Sequence, residues 1–318
     1  MPWPLIRLLP HHTTFRFVRY APVAAALSGL AVLASIASFA TVGLNLGIDF
    51  RGGTLIEVQT PGPAPLGQLR GALNALGVHD PQVQGFGAAN SAMLRFEPPR
   101  GGDPVGAINR IKAGLSARIP GVQFKRVDVV GPKVSGELFR SGLIALGIAV
   151  ALMLAYIWFR FQLQFGLGAV IAVSHDVVLT MGLLSILRIE FSTTSIAALL
   201  TIIGYSMNEK VITFDRLREN LRKYRTTPLR DTIDVSENER LSRTLITGST
   251  ALLALCPMLF FGGSTVFPLV FAVVFGVIIG TYSSIYVALP VILLWGVRRV
   301  DEPEVARAKA ARPAASRP

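Results

Sequence analysis

Six runs of mostly apolar residues, each about long enough to cross a bilayer, dominate this sequence; they occupy 22–44, 138–159, 165–187, 192–214, 244–261 and 267–297. A helix needs about 20 residues to span a hydrocarbon core of roughly 30 Å. Within that core the backbone must satisfy its own hydrogen bonds, which restricts such runs to helices. The chain therefore reads as a membrane all-α six-helix bundle. Composition agrees, since 51% of its 318 residues are hydrophobic, only 16% are charged and mean hydropathy is +0.52, too apolar for an ordinary soluble domain. The first run is too long for a signal-peptide core and shows no clear cleavage site, so it is expected to stay as an uncleaved span behind a leader at 1–21.

Orientation follows from the charges of the short loops. The segment 216–243 carries eight Lys or Arg, Arg160 follows the second run, and the tail after 297 is basic. On the other side, 188–191 holds one base and one acid, and 262–265 holds no charge. Positive charge stays inside, so both termini and a loop at about 215–243 are expected in the cytoplasm. The 45–137 segment then lies outside, which in a two-membrane bacterium means the periplasmic side of the inner membrane. The net charge of +12 is thereby a matter of topology. Its cations flank apolar runs and form no aromatic-interleaved basic patch, so no nucleic-acid partner is expected. Residues 298–318 form a cytoplasmic tail, rich in Ala, Arg and Pro from 305 on, that reads as disordered. The loop mixes charge with Leu221, Leu229, Ile233 and Val235; a short helix lying on the membrane surface and a plain solvated loop both fit it.

The 45–137 segment is long enough for a small domain. Its pattern is strand-like at 48–59, helical at 66–76, strand-like at 82–87 and 92–97, helical at 105–119 and strand-like at 122–130. That βαββαβ order predicts an inserted α+β ferredoxin-like unit, two helices covering one face of a four-stranded antiparallel sheet.

No nucleophile elbow, phosphate loop or dinucleotide fingerprint stands in a working context, so neither an enzyme nor a cofactor site is expected. His11 and His12 lie in the leader, His79 in the inserted domain and His175 alone in a span, which is no metal-ligand set. Cys256, the single cysteine, falls in an apolar run and reads as a buried, inert thiol. Ionisable groups within spans are costly and default to function. The fourth run ends in Asn208, Glu209 and Lys210; at helical spacing Ser206, Glu209 and Thr213 share a face, with Tyr205 and Asn208 on the adjoining one. His175 and Asp176 sit midway along the third run, and Arg243 opens the fifth. Glu209, Asp176 and Arg243 can converge into a proton relay in which the distance of the arginine sets the proton affinity of the carboxylates; simple pairing that fixes helix register is the alternative. Gly276 and Gly280, and the row Ser141, Gly142, Ala145 and Ala149, mark close helix packing. The partner helix is not legible.

Several motifs resemble one family. Gly47-Ile48-Asp49-Phe50-Arg51-Gly52-Gly53-Thr54 after the first span and Val130-Gly131-Pro132-Lys133-Val134 before the second are similar to the paired signatures of the SecD/SecF family. His175-Asp176-Val177, the run from Ile203 to Asn208, the segment Phe214-Asp215-Arg216-Leu217-Arg218-Glu219-Asn220, Arg243-Thr244-Leu245-Ile246-Thr247 and Gly280-Thr281-Tyr282-Ser283-Ser284-Ile285 resemble its SecF branch. The likeness extends from Leu46 to Val297. It implies a member of the resistance-nodulation-division superfamily that pairs with a separate SecD, each half giving six spans. It further implies action beside the SecYEG channel, with YajC as a candidate neighbour, on a translocating unfolded polypeptide driven by the proton motive force. One departure stands out: the family usually has Asn-Asp-Thr or Asn-Asp-Ser where this chain has Asn208-Glu209-Lys210. The proton-carrying acid becomes Glu209, and Lys210 either snorkels away or pairs locally.

Two other readings remain at this point: a small-molecule exporter of the same superfamily, and a structural partner of SecD without its own proton pathway. The topology itself is testable. A reporter inserted near Asn90 will read external and one near Thr227 cytoplasmic; finding both on one side would refute the six-span arrangement.

Overall fold

The computed structural model describes residues 13–78, 81–97, 104–161 and 163–296. Residues 1–12 of the leader, with His11 and His12, as well as His79 and the basic tail, lie outside the described residues, and α1 starts within the rest of the leader. Helix α1 (Phe17–Thr41) leads through a two-residue strand β1 (Asn45–Leu46) and a single helical turn α2 (Ile48–Arg51) into the inserted domain. There follow β2 (Gly53–Gln59), α3 (Leu66–Ala75), β3 (Gln82–Gly85), β4 (Ser91–Phe96), α4 (Pro104–Arg118) and β5 (Gln123–Val130). The remainder is helical: α5 (Pro132–Arg160), α6 (Leu163–Ile186), the short strand β6 (Glu190–Phe191), α7 (Thr193–Lys223), α8 (Leu229–Phe261), α9 (Gly263–Ser283), a π-helical turn (Ser284–Ala288) and α10 (Leu289–Trp295).

In the inserted domain the sheet order is β3-β4-β2-β5 and every pairing is antiparallel. Alternation decides which face is covered. Ile56, Val58 and Leu94 point inward with Leu69 and Leu73 of α3 and Ile111 and Leu115 of α4, and together they make a closed apolar core. The strand expected from 48 starts only at Gly53. Gly52 (φ +76°) and Gly53 (φ +132°) adopt backbone that side chains disfavour, and a Cβ on Gly53 would lie 2.9 Å from the Phe96 carbonyl oxygen. These two glycines let the chain turn sharply out of α2 and into the middle of the sheet.

Five helices are long and apolar enough to cross a membrane: Phe17–Thr41, Lys133–Ile157, Leu163–Ile186, Leu229–Phe261 and Val266–Trp295. The fourth predicted run lies within α7, a helix of 31 residues whose apolar start is interrupted by Asn208, Glu209 and Lys210 and so falls short of that measure. It is nevertheless the centre of the bundle, packing against α5, α6, α8 and α9, with Ala198, Leu199 and Ile202 enclosed. The outer helices α1 and α5 leave Leu30, Leu33, Ile148 and Leu152 exposed, as a lipid-facing or partner-facing surface requires. Cys256 on α8 is half-buried, not enclosed as the sequence suggested.

The predicted loop at 216–243 is largely helix, a correction to both readings of it. α7 runs on to Lys223 and α8 starts at Leu229, leaving a turn at 224–228. The reason is a buried face at helical spacing on α8, where Thr232, Ile233, Ser236, Glu237, Arg240 and Thr244 all pack inward. α5 likewise starts at Pro132, earlier than the apolar run begins; a proline suits the first turn of a helix because its missing N–H would have no partner there.

Between helices in lipid the attraction comes from close packing, which small residues permit. The Gly276 and Gly280 pair packs against α7 of this same chain: a Cβ on Gly276 would lie 2.3 Å from Ile202 Cγ1, and one on Gly280 would lie 3.2 Å from Ser206 Cβ. At Gly182 the added atom would lie 2.9 Å from the Cα of Ser35 on α1, whereas Gly29 has nothing within 4 Å. Gly182→Ala is expected to cost about 1–3 kcal/mol, as overpacking does, and Gly29→Ala to change little. Thermal unfolding of the purified protein in detergent measures both.

Candidate functional site

Two clusters of buried ionisable side chains meet at the middle of the bundle. In the first, Asp176 on α6 and Lys210 on α7 are fully enclosed and form an ion pair of 3.0 Å. The Lys210 ammonium has three protons to donate. It gives them to Asp176 Oδ2, to Ser206 Oγ and, at 2.9 Å, to Ser283 Oγ. Both hydroxyls in turn donate to the same Asp176 oxygen, Ser283 at 2.7 Å. The other carboxylate oxygen lies 3.0 Å from His175 Nδ1. The first cluster is thus a closed set in which each charge is matched.

The second cluster lies beside it. Arg240 on α8 is held by Glu237, with Nε 2.8 Å from Oε1 and Nη2 2.7 Å from Oε2. Its Nη2 also donates to Ser284 Oγ at 2.9 Å and its Nη1 to Thr244 Oγ1 at 2.8 Å. Glu209 receives less. Arg240 Nη1 stands 3.5 Å from its Oε2 and Thr244 Oγ1 donates to that oxygen at 3.3 Å. All three ionic groups are nearly inaccessible, with Glu209 and Glu237 at 1% and Arg240 at 4% exposure. Counting Asp176, Glu209 and Glu237 against Lys210 and Arg240, three carboxylates face two cations.

Neighbouring residues link the two clusters. Glu209 and Lys210 are consecutive on α7 and serve different clusters, and so do Ser283 and Ser284 where α9 gives way to the π-helical turn. A π-helical turn changes the local helical phase and is frequent at functional sites; here it falls at the junction that presents both serines. The close approach of Gly280 to Ser206 brings α7 and α9 near enough for Ser283 to reach Asp176.

The residues expected at the site are only partly brought together. Asp176, Glu209, Lys210, Ser206 and His175 converge. Tyr205 is half-buried and its hydroxyl lies beside Gly248. Asn208 faces outward, and so does Arg243, next to an open cleft with Asp215, Arg216 and Glu239. The arginine beside Glu209 is Arg240, not Arg243: at about 100° per residue Glu237, Arg240 and Thr244 fall within about 60° of one another on the inward face, while Arg243 lies about 100° round the helix from Thr244 and is turned away. Lys210 does not snorkel; it pairs inside. Glu237 and Arg240 were missed because 216–243 was read as a loop, although carrying the helical face of span five back from Thr244 through Arg240 to Glu237 picks out both. Of the motif residues, Asp215 pairs with Arg160 at 3.0 Å, Arg216 bridges Glu239 and Glu219, Arg51 is exposed, and Gly131 precedes the first turn of α5. Asp49 accepts a hydrogen bond from the Thr193 backbone N–H at 2.9 Å, occupying a donor at the start of α7. Among the described residues no group of three or more His, Cys, Asp or Glu has the arrangement of a metal site.

Residues 111–298 match the family described as protein export membrane protein SecD/SecF, C-terminal, and residues 37–60 match the SecD/SecF GG motif. The protein translocase subunit SecF of Rhodobacter capsulatus is 43% identical over 313 residues, covering 93% of each chain. That of Rickettsia felis is 38% identical over 306 residues, covering 95% of this chain and 98% of its own. The crystal structure of SecDF, a translocon-associated membrane protein from Thermus thermophilus, superposes with a TM-score of 0.83 at 30% identity over 91% of this chain. A second SecDF crystal structure, in a super-membrane-facing form, gives a TM-score of 0.66 at 32% identity over 97%. This chain spans about 40% of the length of those two, 40% and 41% respectively.

The first cluster yields a stability test. Lys210→Met leaves Asp176 as a buried charge without its cation and is expected to cost about 3–5 kcal/mol. Adding Asp176→Leu removes the stranded charge and should recover most of that loss. Thermal unfolding of the two variants against the parent decides, and equal stability of the single and double variants would contradict a tight ion pair.

Proposed function

The chain belongs to the SecD/SecF family of protein-export membrane proteins, among its SecF subunits, and from that premise we propose that it uses proton movement through its buried charges to assist polypeptide export beside a SecD partner. The relatives carry the name protein translocase subunit SecF, and the similar structures are of SecDF, a translocon-associated membrane protein of which this chain spans 40%; the association with SecD and with the SecYEG channel rests on that likeness. In this reading α7 is the fourth of six spans, the chain sits in the inner membrane with both termini cytoplasmic, and the inserted βαββαβ domain is a ferredoxin-like unit on the periplasmic side that handles the emerging chain.

The observation that carries the proposal is the charge count. Three enclosed carboxylates against two cations leave one negative charge over when all five are ionised. An unbalanced charge away from water is costly, and one bound proton removes the imbalance. Asp176 is matched by Lys210 and two hydroxyls and also contacts His175, and Glu237 holds Arg240 by its Nε and Nη2; Glu209, with the longest contacts of the three carboxylates, is the group to which we assign that proton. Protonation of Glu209 frees Arg240 to turn wholly to Glu237 and Ser284. Loss of the proton draws Arg240 and Thr244 back. The exchange shifts α8 against α7, and a proton crossing about 100 mV supplies roughly 2.3 kcal/mol to drive it.

Glu209→Gln keeps the shape but removes the titrating group. In vesicles containing this chain, SecD and the channel, gradient-dependent export should fall severalfold while assembly with SecD persists. Glu209→Asp should retain most activity. Arg240→Lys keeps a charge but loses the planar fork and should be intermediate, whereas Arg243→Lys, on the outward face, should be near normal. Normal export by Glu209→Gln at normal protein level would overturn the proposal in favour of a structural role for both clusters.

A further inference from the structure

The proton chemistry leaves the motif at 45–53 unused, yet it makes a dense set of directional contacts with the turn between α6 and α7. Asn45 and Leu46 pair in parallel with Glu190 and Phe191 in the turn joining α6 to α7. The Gly47 N–H continues that ladder to the Phe191 carbonyl at 2.8 Å. The Asn45 amide donates to the Arg188 carbonyl at 2.8 Å and accepts from Arg95 Nη1 at 3.3 Å. Arg95 comes from β4, in the middle of the inserted domain. It is 8% exposed, donates to the Leu46 carbonyl at 3.2 Å and forms a 2.9 Å ion pair with Glu190. A side chain on Gly47 would put Cβ 2.5 Å from Glu190 Oε1, so glycine there is what lets the carboxylate lie against the strand. On the other flank Arg188, held at φ +56°, donates to the carbonyls of Val42 and Gly43 at 3.2 and 3.1 Å, and Ser185 donates to Gly43 at 2.9 Å.

A two-residue strand pair is marginal by itself. Here it is reinforced from both sides, by Arg95 of the sheet and by Asp49 on the first turn of α7. The turn it grips is also the outer end of the two helices that carry Asp176, Glu209 and Lys210. Helices transmit displacement along their axes as rigid elements, so movement at the buried charges arrives at this turn. Burial raises the Glu190 carboxyl from its ordinary value although Arg95 opposes it, and a pair so placed is screened less than one on the open surface.

We propose that segment 45–49, with Arg95 and Glu190 as positioning residues, is the joint that hands displacement of α6 and α7 to the four-stranded domain. It acts as a fixed coupling that stays closed and moves with the turn. The inference rests on the proton-driven reading above for the source of the movement.

The test uses the full chain with SecD and the channel in vesicles, carrying Cys256→Ser to remove the native thiol. Asn45→Cys and Glu190→Cys occupy paired positions across the two strands, so oxidation can replace the lost contacts with a covalent one. With thiols reduced, gradient-dependent export is expected to fall at least fivefold while proton flux stays within twofold. Oxidation is expected to restore export to within twofold of the Cys256→Ser parent. Normal export in the reduced form, or export that stays low once the disulfide has formed, overturns a closed joint. A second readout does not depend on export: deuterium uptake over 53–59 and 91–96 should change on adding Glu209→Gln when the joint is oxidised and not when it is reduced. No change there in the oxidised form while uptake over 193–223 does change also overturns the joint. Absence of proton flux in the Cys256→Ser parent, or no change over 193–223 either, counts instead against the proton-driven reading.

Discussion

The ion pair between Asp176 and Lys210 is the constraint around which the bundle is arranged. A full charge cannot remain in such surroundings without a partner, so α6 and α7 must lie where these two groups meet. The third wall is fixed by hydroxyls: Ser206 and Ser283 bond to both members of the pair, which ties α9 to α7 at one level. Glycine makes that level reachable. With any larger residue at Gly276 or Gly280, α9 would stand off from Ile202 and Ser206 and Ser283 would lose its reach.

Against that closed set, the neighbouring one is open to rearrangement. Arg240 divides five donors among Glu237, Ser284, Thr244 and Glu209, and the contact to Glu209 is the longest. The two sets share consecutive residues on two helices, so a change in the second cannot proceed without loading the backbone that carries the first. A rigid anchor next to an adjustable contact is what a mechanical device needs, since movement is useful only against something that holds still. Arg95, Glu190 and the strand pair at Asn45 and Leu46 join the sheet domain to the turn between α6 and α7.

The departure at Lys210 also acquires a physical sense. A hydroxyl in that position, as in the family's usual motif, would leave Asp176 to be balanced by another group. Here the lysine balances it and fills three acceptors at once.

The approximate places of the apolar runs, the alternation of the inserted domain and the glycine pairs were legible in the sequence, because burial in lipid or against a sheet imposes a period that neighbouring residues must obey. Asp176, Glu209 and Lys210 could be singled out for the same reason: charge inside an apolar run is anomalous on sight. What partners them was not legible. Arg240 and Arg243 are both cations near the start of the same span, and only the rotation of α8, fixed by Ile233, Glu237 and Thr244 packing inward, decides that Arg240 faces Glu209. Arg95 and Glu190 stand 95 residues apart in the numbering, on a strand and in a turn that look unremarkable alone; their meeting depends on how the whole domain sits on the bundle. Period is a local property of the chain and can be read from it, whereas pairing of charges is a property of distance in space, which only the folded structure sets.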